Sequence, residues 1–267
     1  MDTRSIKISF VIVEFHSLDE IGLCINSIRS KNDNPIEIIV SSNSLYTKSK
    51  QKEILKEFPK CKWSFNECNG GFAYAMNKGL SIATGDYLVI MNPDCKILYG
   101  IDKMGSFLQK HPKIGALGPK IQDKNGLLQD TCRNYVSLPS FIYRQITRII
   151  THKESVLTTS FDYNKIQTVD WVIGAFIMVS KKAYELTQGM SEDYFMYAED
   201  LDWCTRIRKK GLEIVYYPNA IIEYKGTRSA RKSKKYAKIF LKSHITYWKK
   251  FGFLFGYPKR KHLSFAE

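Results

Sequence analysis

The stretch GDYLVIMNPDCKIL, residues 85–98, decides how this chain is read. Tyr87 to Met91 is a short unbroken apolar run, the pattern of a strand covered on both faces. It runs directly into Asn92-Pro93-Asp94. Proline has no N–H to donate and halts a strand ladder. In open α/β sheets, ligands bind just beyond the carboxyl ends of the strands. A carboxylate at such an end can hold a hard cation such as Mg²⁺ or Mn²⁺ and leave positions open for diphosphate oxygens. The alternative is an ordinary type I turn with Asn92 first and Pro93 second. On the tripeptide alone the turn is the stronger reading.

The flanking sequence places this strand in an α/β sheet. Residues 6–13, IKISFVIV, form a β-branched run with no polar face, as expected of a doubly covered strand. Ser17-Leu18-Asp19-Glu20 matches the S-x-x-E capping box and opens a helix to about Ser30. IEIIV (36–40) is a second strand, a helix over 47–58 stops at Pro59, and WSF (63–65) is a third strand. A helix over Gly71 to Ala83 precedes the strand at Tyr87. Strand and helix alternate with short connections, which predicts a mostly parallel, Rossmann-like sheet flanked by helices. Beyond residue 100 the pattern loosens. Residues 113–121 and 169–180 read as strands, AEDLDWCTRIRKKG as a helix stopped by Gly211, and 213–218 as a further strand. The expected division is a nucleotide half over about 1–100, an acceptor half over about 101–223 and a tail over 224–267.

Composition narrows the class. At 267 residues, 44% hydrophobic and 13% aromatic, the chain can bury a large core. No apolar run is long enough to span a bilayer. Glu14 interrupts the N-terminal apolar stretch and no small-residue cleavage site follows, so no signal peptide is expected. The cysteines at 24, 61, 68, 95, 132 and 204 form no C-x-x-C pair. They read as reduced thiols of a cytoplasmic protein, without a structural zinc. The net charge of +15 is concentrated: Lys225 to Lys261 holds 13 Lys or Arg and no Asp or Glu. There a helix over Lys235 to Phe251 carries Ala237, Leu241, Ile245 and Trp248 on one face, with Phe240, His244, Tyr247 and Phe251 beside it. A basic helix with an aromatic flank suits an anionic membrane surface. Docking on its own domain and membrane contact are expected together. Nucleic acid is not expected, because no recognised binding module accompanies the charge.

Two further clusters can carry chemistry. SEDYFMYAEDLDW brings Glu192, Asp193, Glu199, Asp200 and Asp202 together without a base. Crowded carboxylates raise one another's pKa and can fit one for general-base work. Capping by Asp200 and an i,i+4 pair of Asp202 with Arg206 explain part of the cluster equally well. NGGFAYAMNKG (69–79) lets the backbone approach a partner closely at a helix start. It is neither G-x-G-x-x-G nor a Walker A loop, and tight helix packing is its plain alternative. The histidines show no metal spacing, and G-x-S-x-G is absent.

Taken in order, these segments resemble the family 2 inverting glycosyltransferases of the GT-A fold, closest to the bacterial rhamnosyltransferase-like enzymes of surface-polysaccharide synthesis. The resemblance runs from about Ile6 to Phe251. FVIVEFHS looks like the first nucleotide-binding strand, bringing Glu14 and Phe15 to the donor. Asn69, Gly71, Phe72, Asn77 and Gly79 match N-x-G-F-x-x-x-x-N-x-G. GDYLVIMNPD looks like the strand ending in a D-x-D-type metal motif in its N-P-D form. DWVIGAFIMVSKKAYE is similar to the acceptor-side strand, with Trp171, Gly174 and Ala175. FMYAEDLDWCTRIRKKG matches the helix bearing the catalytic base, and KSHITYWKKFG the closing helix. The chain departs from the family where Ser42-Asn43 replaces an Asp-Asn pair after the second strand, where Gln188 to Glu192 replaces G-G-F-D-E, and where Tyr224 stands at a frequent histidine.

The resemblance implies a nucleoside-diphosphate sugar donor, possible rhamnosyl transfer with inversion, and a glycan or lipid-linked oligosaccharide acceptor at the inner face of the cell membrane. It implies Asp200 as base, with Glu199 and Asp202 positioning it or the acceptor. Asp94, with Asn92 nearby, would hold Mg²⁺ or Mn²⁺, while Ser42, Asn43, Asn69, Gly71, Phe72 and Asn77 line the donor side. Arg228 and Arg231 are candidate diphosphate cations. The competing classes are a nucleotidyltransferase and a catalytically silent glycan- or membrane-binding relative. A nucleotidyltransferase usually has a Gly-rich basic loop after the first strand, where this chain has Glu14-Phe15-His16-Ser17.

Overall fold

The structure, a computed structural model, describes residues 6–151, 161–226, 233–253, 257–261, 263 and 265. Its first part alternates as the sequence predicts: β1 (Ile8–Glu14), α1 (Leu18–Ser30), β2 (Ile36–Ser42), α2 (Lys48–Glu57), β3 (Lys62–Phe65), α3 (Phe72–Ser81) and β4 (Tyr87–Met91). Then come β5 (Cys95–Tyr99), α4 (Ile101–Lys110), β6 (Ile114–Gln122), β7 (Cys132–Arg133) and α5 (Leu138–Thr151). The chain continues through β8 (Gln167–Val169), β9 (Trp171–Val172), β10 (Phe176–Ser180), α6 (Lys181–Thr187), α7 (Glu199–Lys209), β11 (Glu213–Tyr224) and α8 (Lys234–Phe251).

One sheet runs β3-β2-β1-β4-β10-β6-β11-β5, with β8 alongside β11. The strands β1, β2, β3, β4, β6 and β11 share one direction, and β5, β8 and β10 run against them. The central sheet is therefore mostly parallel. β1 lies inside it and buries all seven residues. Its period of two divides them between two cores. Phe10 and Ile12 pack with Ile21 and Ile25 of α1 and Met104 of α4. Val11 and Val13 pack with Met76 and Leu80 of α3 and Leu201 of α7. Each such buried aliphatic stabilises the fold by about 1.5–3 kcal/mol. This sandwich fixes where the carboxyl ends of β1, β2 and β4 come out.

Several expectations change. The 169–180 stretch is not one strand but three short ones, because the chain leaves the main sheet to pair with β7. There Asp170 N–H donates to Arg133 O at 3.1 Å and Ile173 N–H to Thr131 O at 3.2 Å. The capping box does not form: Ser17 makes no side-chain cap bond. Its hydroxyl accepts from Phe15 N–H, and the Glu20 carboxylate pairs with Lys225 instead. In α8 the expected apolar face is split. The aromatic side, His244, Tyr247, Trp248 and Phe251, is buried, while Leu241 and Ile245 are exposed. Trp248 Nε1 donates to Val136 O at 2.7 Å, which ties α8 to the segment before α5.

Candidate active site

The first wall of the site is the tip of β1 and β2. Glu14 and Ser42 are register partners, and both are buried. The Glu14 carboxylate accepts from the hydroxyls of Ser42, Ser44 and Tyr46 and from Ser17 N–H. It is thus a knot that fixes the loop after β2, with its oxygens already occupied. Asn43 extends the knot: its amide donates to Gly71 O at 3.0 Å and Asn69 Oδ1 at 3.2 Å, and it accepts from Asn66. Phe15 follows β1 at this tip with 47% of its surface exposed, its ring tilted against that of His16 with centroids 4.4 Å apart.

The second wall is Asn92-Pro93-Asp94, where both readings of the tripeptide meet. Cys95 N–H donates to Asn92 O at 3.2 Å, so the segment is a turn. That turn presents Asp94 beside the end of β11. The Asp94 carboxyl accepts from the Gly226 backbone N–H, and burial, helped by the Glu20 charge, pushes it up to about 6 against the pull of Lys225. Lys225 meanwhile pairs with Glu20 at 3.2 Å. Asn92 Nδ2 donates to the Tyr224 hydroxyl at 3.2 Å. Burial, then the charge of Asp94, hold that phenol neutral by raising its pKa.

The third wall is the start of α7. Tyr197 and Ala198 enter it in succession at φ 71° and 63°, conformations that cost a non-glycine residue and concentrate at functional sites. This twist delivers Asp200 to Gly174. Asp200 Oδ2 accepts from Gly174 N–H at 2.7 Å and Oδ1 from Leu201 N–H at 2.8 Å. Burial raises the Asp200 pKa, opposed by these backbone donors and by Arg133. The neighbouring Glu199 is raised by burial and then by the Asp200 charge. Among the described residues its buried Oε2 has no hydrogen-bond partner. Asp202 faces the opposite way. It is fully buried and accepts from Arg206 Nε, Lys250 Nζ at 2.8 Å and the Tyr194 hydroxyl at 3.1 Å.

Gly174-Ala175 joins the second and third walls. Ala175 O accepts from Asn92 N–H at 2.9 Å, while Gly174 N–H holds Asp200. Tyr224 feels the charges of both Asp94 and Asp200. Gly174-Ala175 thus links the Asp200 carboxylate to the turn that carries Asp94. A methyl at Gly174 would stand 3.2 Å from Asp200 Cβ, so the absence of a side chain lets the two segments close.

The N-x-G-F segment braces this arrangement. Gly71 sits at φ 95°, and Phe72 N–H donates to Phe195 O at 2.8 Å. Asn77 bonds both the N–H and the carbonyl of Met190 and reaches Glu192 at 2.9 Å. Trp171 is buried, with Nε1 donating to Asn134 O at 2.9 Å, and Arg133 lies over its ring at 5.0 Å. Arg228 and Arg231 lie outside the described residues. Sequence reasoning missed two charged residues here. Arg133 was hidden in an unassigned stretch, and Glu20 was read as a cap. All six cysteines are free.

Among the described residues, no three His, Cys, Asp or Glu gather as a closed metal cage. The residues nevertheless fit a substrate-carried ion. Mg²⁺-type sites commonly use one or two carboxylates and let phosphates complete the shell. Asp94 is such a carboxylate, and Asn92 of the same turn lies close by.

A mostly parallel sheet in this strand order, flanked by helices, is the GT-A fold. Solved structures share the fold. GalNAc-T7, solved with UDP, GalNAc and Mn²⁺, superposes with a TM-score of 0.63 at 16% identity, over 84% of this chain and 44% of that one. This chain thus spans less than half of that protein. The mannosyltransferase PcManGT of Pyrobaculum calidifontis, solved with GDP-Man and Mn²⁺, gives 0.58 at 17% identity, over 93% of this chain and 65% of that one. In sequence, the chain is 24% identical over 224 residues to the N-acetylglucosaminyl-diphospho-decaprenol L-rhamnosyltransferase of Mycobacterium tuberculosis H37Rv, covering 77% of this chain and 72% of the relative. The model of glycosyl transferase family 2 matches residues 9–186. The chain belongs to glycosyl transferase family 2 and is a glycosyltransferase.

Proposed function

We propose that the protein transfers a sugar of the rhamnosyl class from a nucleoside-diphosphate donor to a glycan or lipid-linked acceptor, with inversion, in surface-polysaccharide assembly. The observation that carries this reading is the bridge at Gly174-Ala175, which holds the Asp94 turn and the Asp200 carboxylate at the same sheet end. The name of the mycobacterial relative supports the rhamnosyl donor and the lipid-linked acceptor.

Asp200 serves as general base. Its two oxygens are aimed by backbone N–H groups, and burial keeps its proton affinity above that of an exposed aspartate. As the bond from the anomeric carbon to the diphosphate oxygen breaks, the acceptor oxygen forms its bond to that carbon from the opposite side and passes its proton to Asp200. Glu199 stays neutral beside it, so that only one of the two carries charge. Phe15 offers its exposed face to the nucleobase, and the Glu14 knot sets the loop against which the nucleoside lies. Asp94, with the Asn92 side chain, would hold Mg²⁺ or Mn²⁺. When bound, that ion neutralises charge on the leaving diphosphate. Arg228 and Arg231 add positive charge from the segment after β11. Asp202, turned to Arg206 and Lys250, acts by anchoring α7.

The protein works as a peripheral protein at the cytoplasmic face of the membrane, a reading supported by the acid-free basic segment from Lys225 to Lys261. Among the described residues no helix is long and apolar enough to cross a membrane.

The test is a panel of nucleoside-diphosphate sugars with Mn²⁺ or Mg²⁺, read for the released nucleotide. Free nucleoside diphosphate with a rhamnosyl donor supports the reading. Pyrophosphate release would indicate a nucleotidyltransferase. Nucleotide binding without release from any donor, even with acceptor extract, would indicate a silent relative.

A further inference from the structure

The helix α5 was not foreseen in the sequence and has no part in the chemistry. Its inner side is anchored: Phe141 packs on Phe240, His244 and Trp248 of α8, with ring centroids 5.2–6.0 Å apart. Leu138 N–H donates to Phe253 O at 2.9 Å. Among the described residues its outer side carries an exposed apolar row. Ile142, Ile146 and Ile150 recur at i, i+4 and i+8 and are 49%, 50% and 71% exposed, and Tyr143 beside them is 70% exposed. Scattered exposed isoleucines are ordinary, but a row of them along one helix marks an interaction surface.

The neighbouring α8 repeats the pattern. Leu241 and Ile245 are exposed at i and i+4, with exposed Lys234, Lys238 and Lys242 in the adjoining row. Neither helix contains an Asp or Glu. An apolar row bordered by lysines, with no acid on either helix, suits a plane that is apolar within and anionic at its edge. A second copy of this chain fits poorly, since a two-fold contact would set one acid-free basic face against another.

We propose that α5 and α8 together form a monotopic membrane seat: the isoleucine row of α5 and the Leu241–Ile245 row of α8 enter the headgroup boundary of an anionic bilayer, and the lysines of α8 bind its headgroups. This deepens, and rests on, the reading of a lipid-linked acceptor. The seat adjoins the acceptor side of the site. Ser243 Oγ donates to Met196 O at 2.7 Å, and Phe240 meets the ring of Tyr197 at 5.5 Å. These residues form the turn that delivers Glu199 and Asp200, so a protein seated this way holds its base close to the bilayer.

The experiment is co-sedimentation of the full chain with phosphatidylcholine vesicles, with and without about 30% phosphatidylglycerol, at low and high salt. One variant combines Ile142→Ser, Ile146→Ser and Ile150→Ser; the other combines Lys234→Gln, Lys238→Gln and Lys242→Gln. All six side chains are solvent-exposed or at the helix border, so the thermal midpoint of each variant should match the parent. The parent should bind anionic vesicles and leave neutral ones largely unbound. The lysine variant should bind about a hundredfold more weakly, at roughly a factor of five per lysine. The isoleucine variant should lose roughly tenfold or more. No vesicle binding by the parent, parent-like binding by both folded variants, or a parent dimer in light scattering that the isoleucine variant dissolves would each overturn the proposal. Vesicle binding is read without any sugar transfer. Binding without turnover on any donor would therefore sink the enzymatic reading and spare the seat, and turnover without binding the reverse.

Discussion

Asp202 and Asp200 are two residues apart, and the structure gives them opposite fates when altered. Asp202 is fully buried and accepts from Arg206, Lys250 and Tyr194. Replacing it by Asn leaves two cations facing a neutral amide. Breaking one side of a buried ion pair costs about 3–5 kcal/mol. The lower end applies here, because both cations keep other partners. Arg206 still donates to Thr187 O at 2.6 Å and Gly189 O at 2.7 Å, and Lys250 still reaches Ser191 Oγ at 3.1 Å. With about 2–4 °C per kcal/mol for a chain of this size class, ~3 kcal/mol lowers the midpoint by about 6–12 °C. Thermal unfolding followed by circular dichroism measures this directly. Turnover per folded molecule, measured well below the midpoint, should stay within about fivefold of the parent. An unchanged midpoint together with abolished turnover would refute the reasoning and move Asp202 into the chemistry.

Three other expectations follow from particular contacts. Burial raises Glu199 to about 8, so its contribution to stability is complete below the unfolded carboxyl pKa and is lost as pH rises through about 8. Glu199→Gln should therefore flatten the stability profile between about pH 5 and pH 9, making the variant more stable than the parent at the alkaline end; parallel pH profiles in denaturant titrations would count against it. Gly71→Ala forces a side chain at φ 95° to within 2.2 Å of Phe195 O. It should cost more than about 2 kcal/mol and lower turnover, since that segment leads to Asp200; a parent-like midpoint would contradict the bracing role. Asp94→Asn should abolish the Mn²⁺-dependent gain in nucleoside-diphosphate affinity seen by calorimetry, with metal-free affinity little changed; a retained Mn²⁺ effect would place the ion elsewhere.

Much of the fold was legible because its signals are local. Buried parallel strands print themselves as continuous apolar runs, and β1, β2 and β4 appear at their expected places within a residue or two. What escaped depends on contacts distant in sequence. The 169–180 run is apolar throughout, so nothing local shows that it must break to turn the Gly174 N–H toward Asp200. The S-x-x-E match at Ser17 is equally misleading, because Lys225, two hundred residues away, draws Glu20 out of the box. In the acidic segment, charge density marks the cluster but not its orientation. Asp200 and Asp202 look alike in sequence, and only packing shows that Asp200 turns to Gly174 while Asp202 turns to Arg206 and Lys250. The helix α5 did carry a readable signal: Ser137 ahead of it, Pro139 in its first turn and isoleucines at i, i+4 and i+8.

The central claim is that Asp200 takes the acceptor proton. Its most direct test is the turnover of Asp200→Asn at saturating donor and acceptor, with nucleotide affinity measured on the same preparation. The prediction is a fall of about 10²–10⁴-fold in turnover with nucleotide affinity and midpoint close to the parent. Turnover within threefold of the parent, in a variant that binds nucleotide normally, would contradict it.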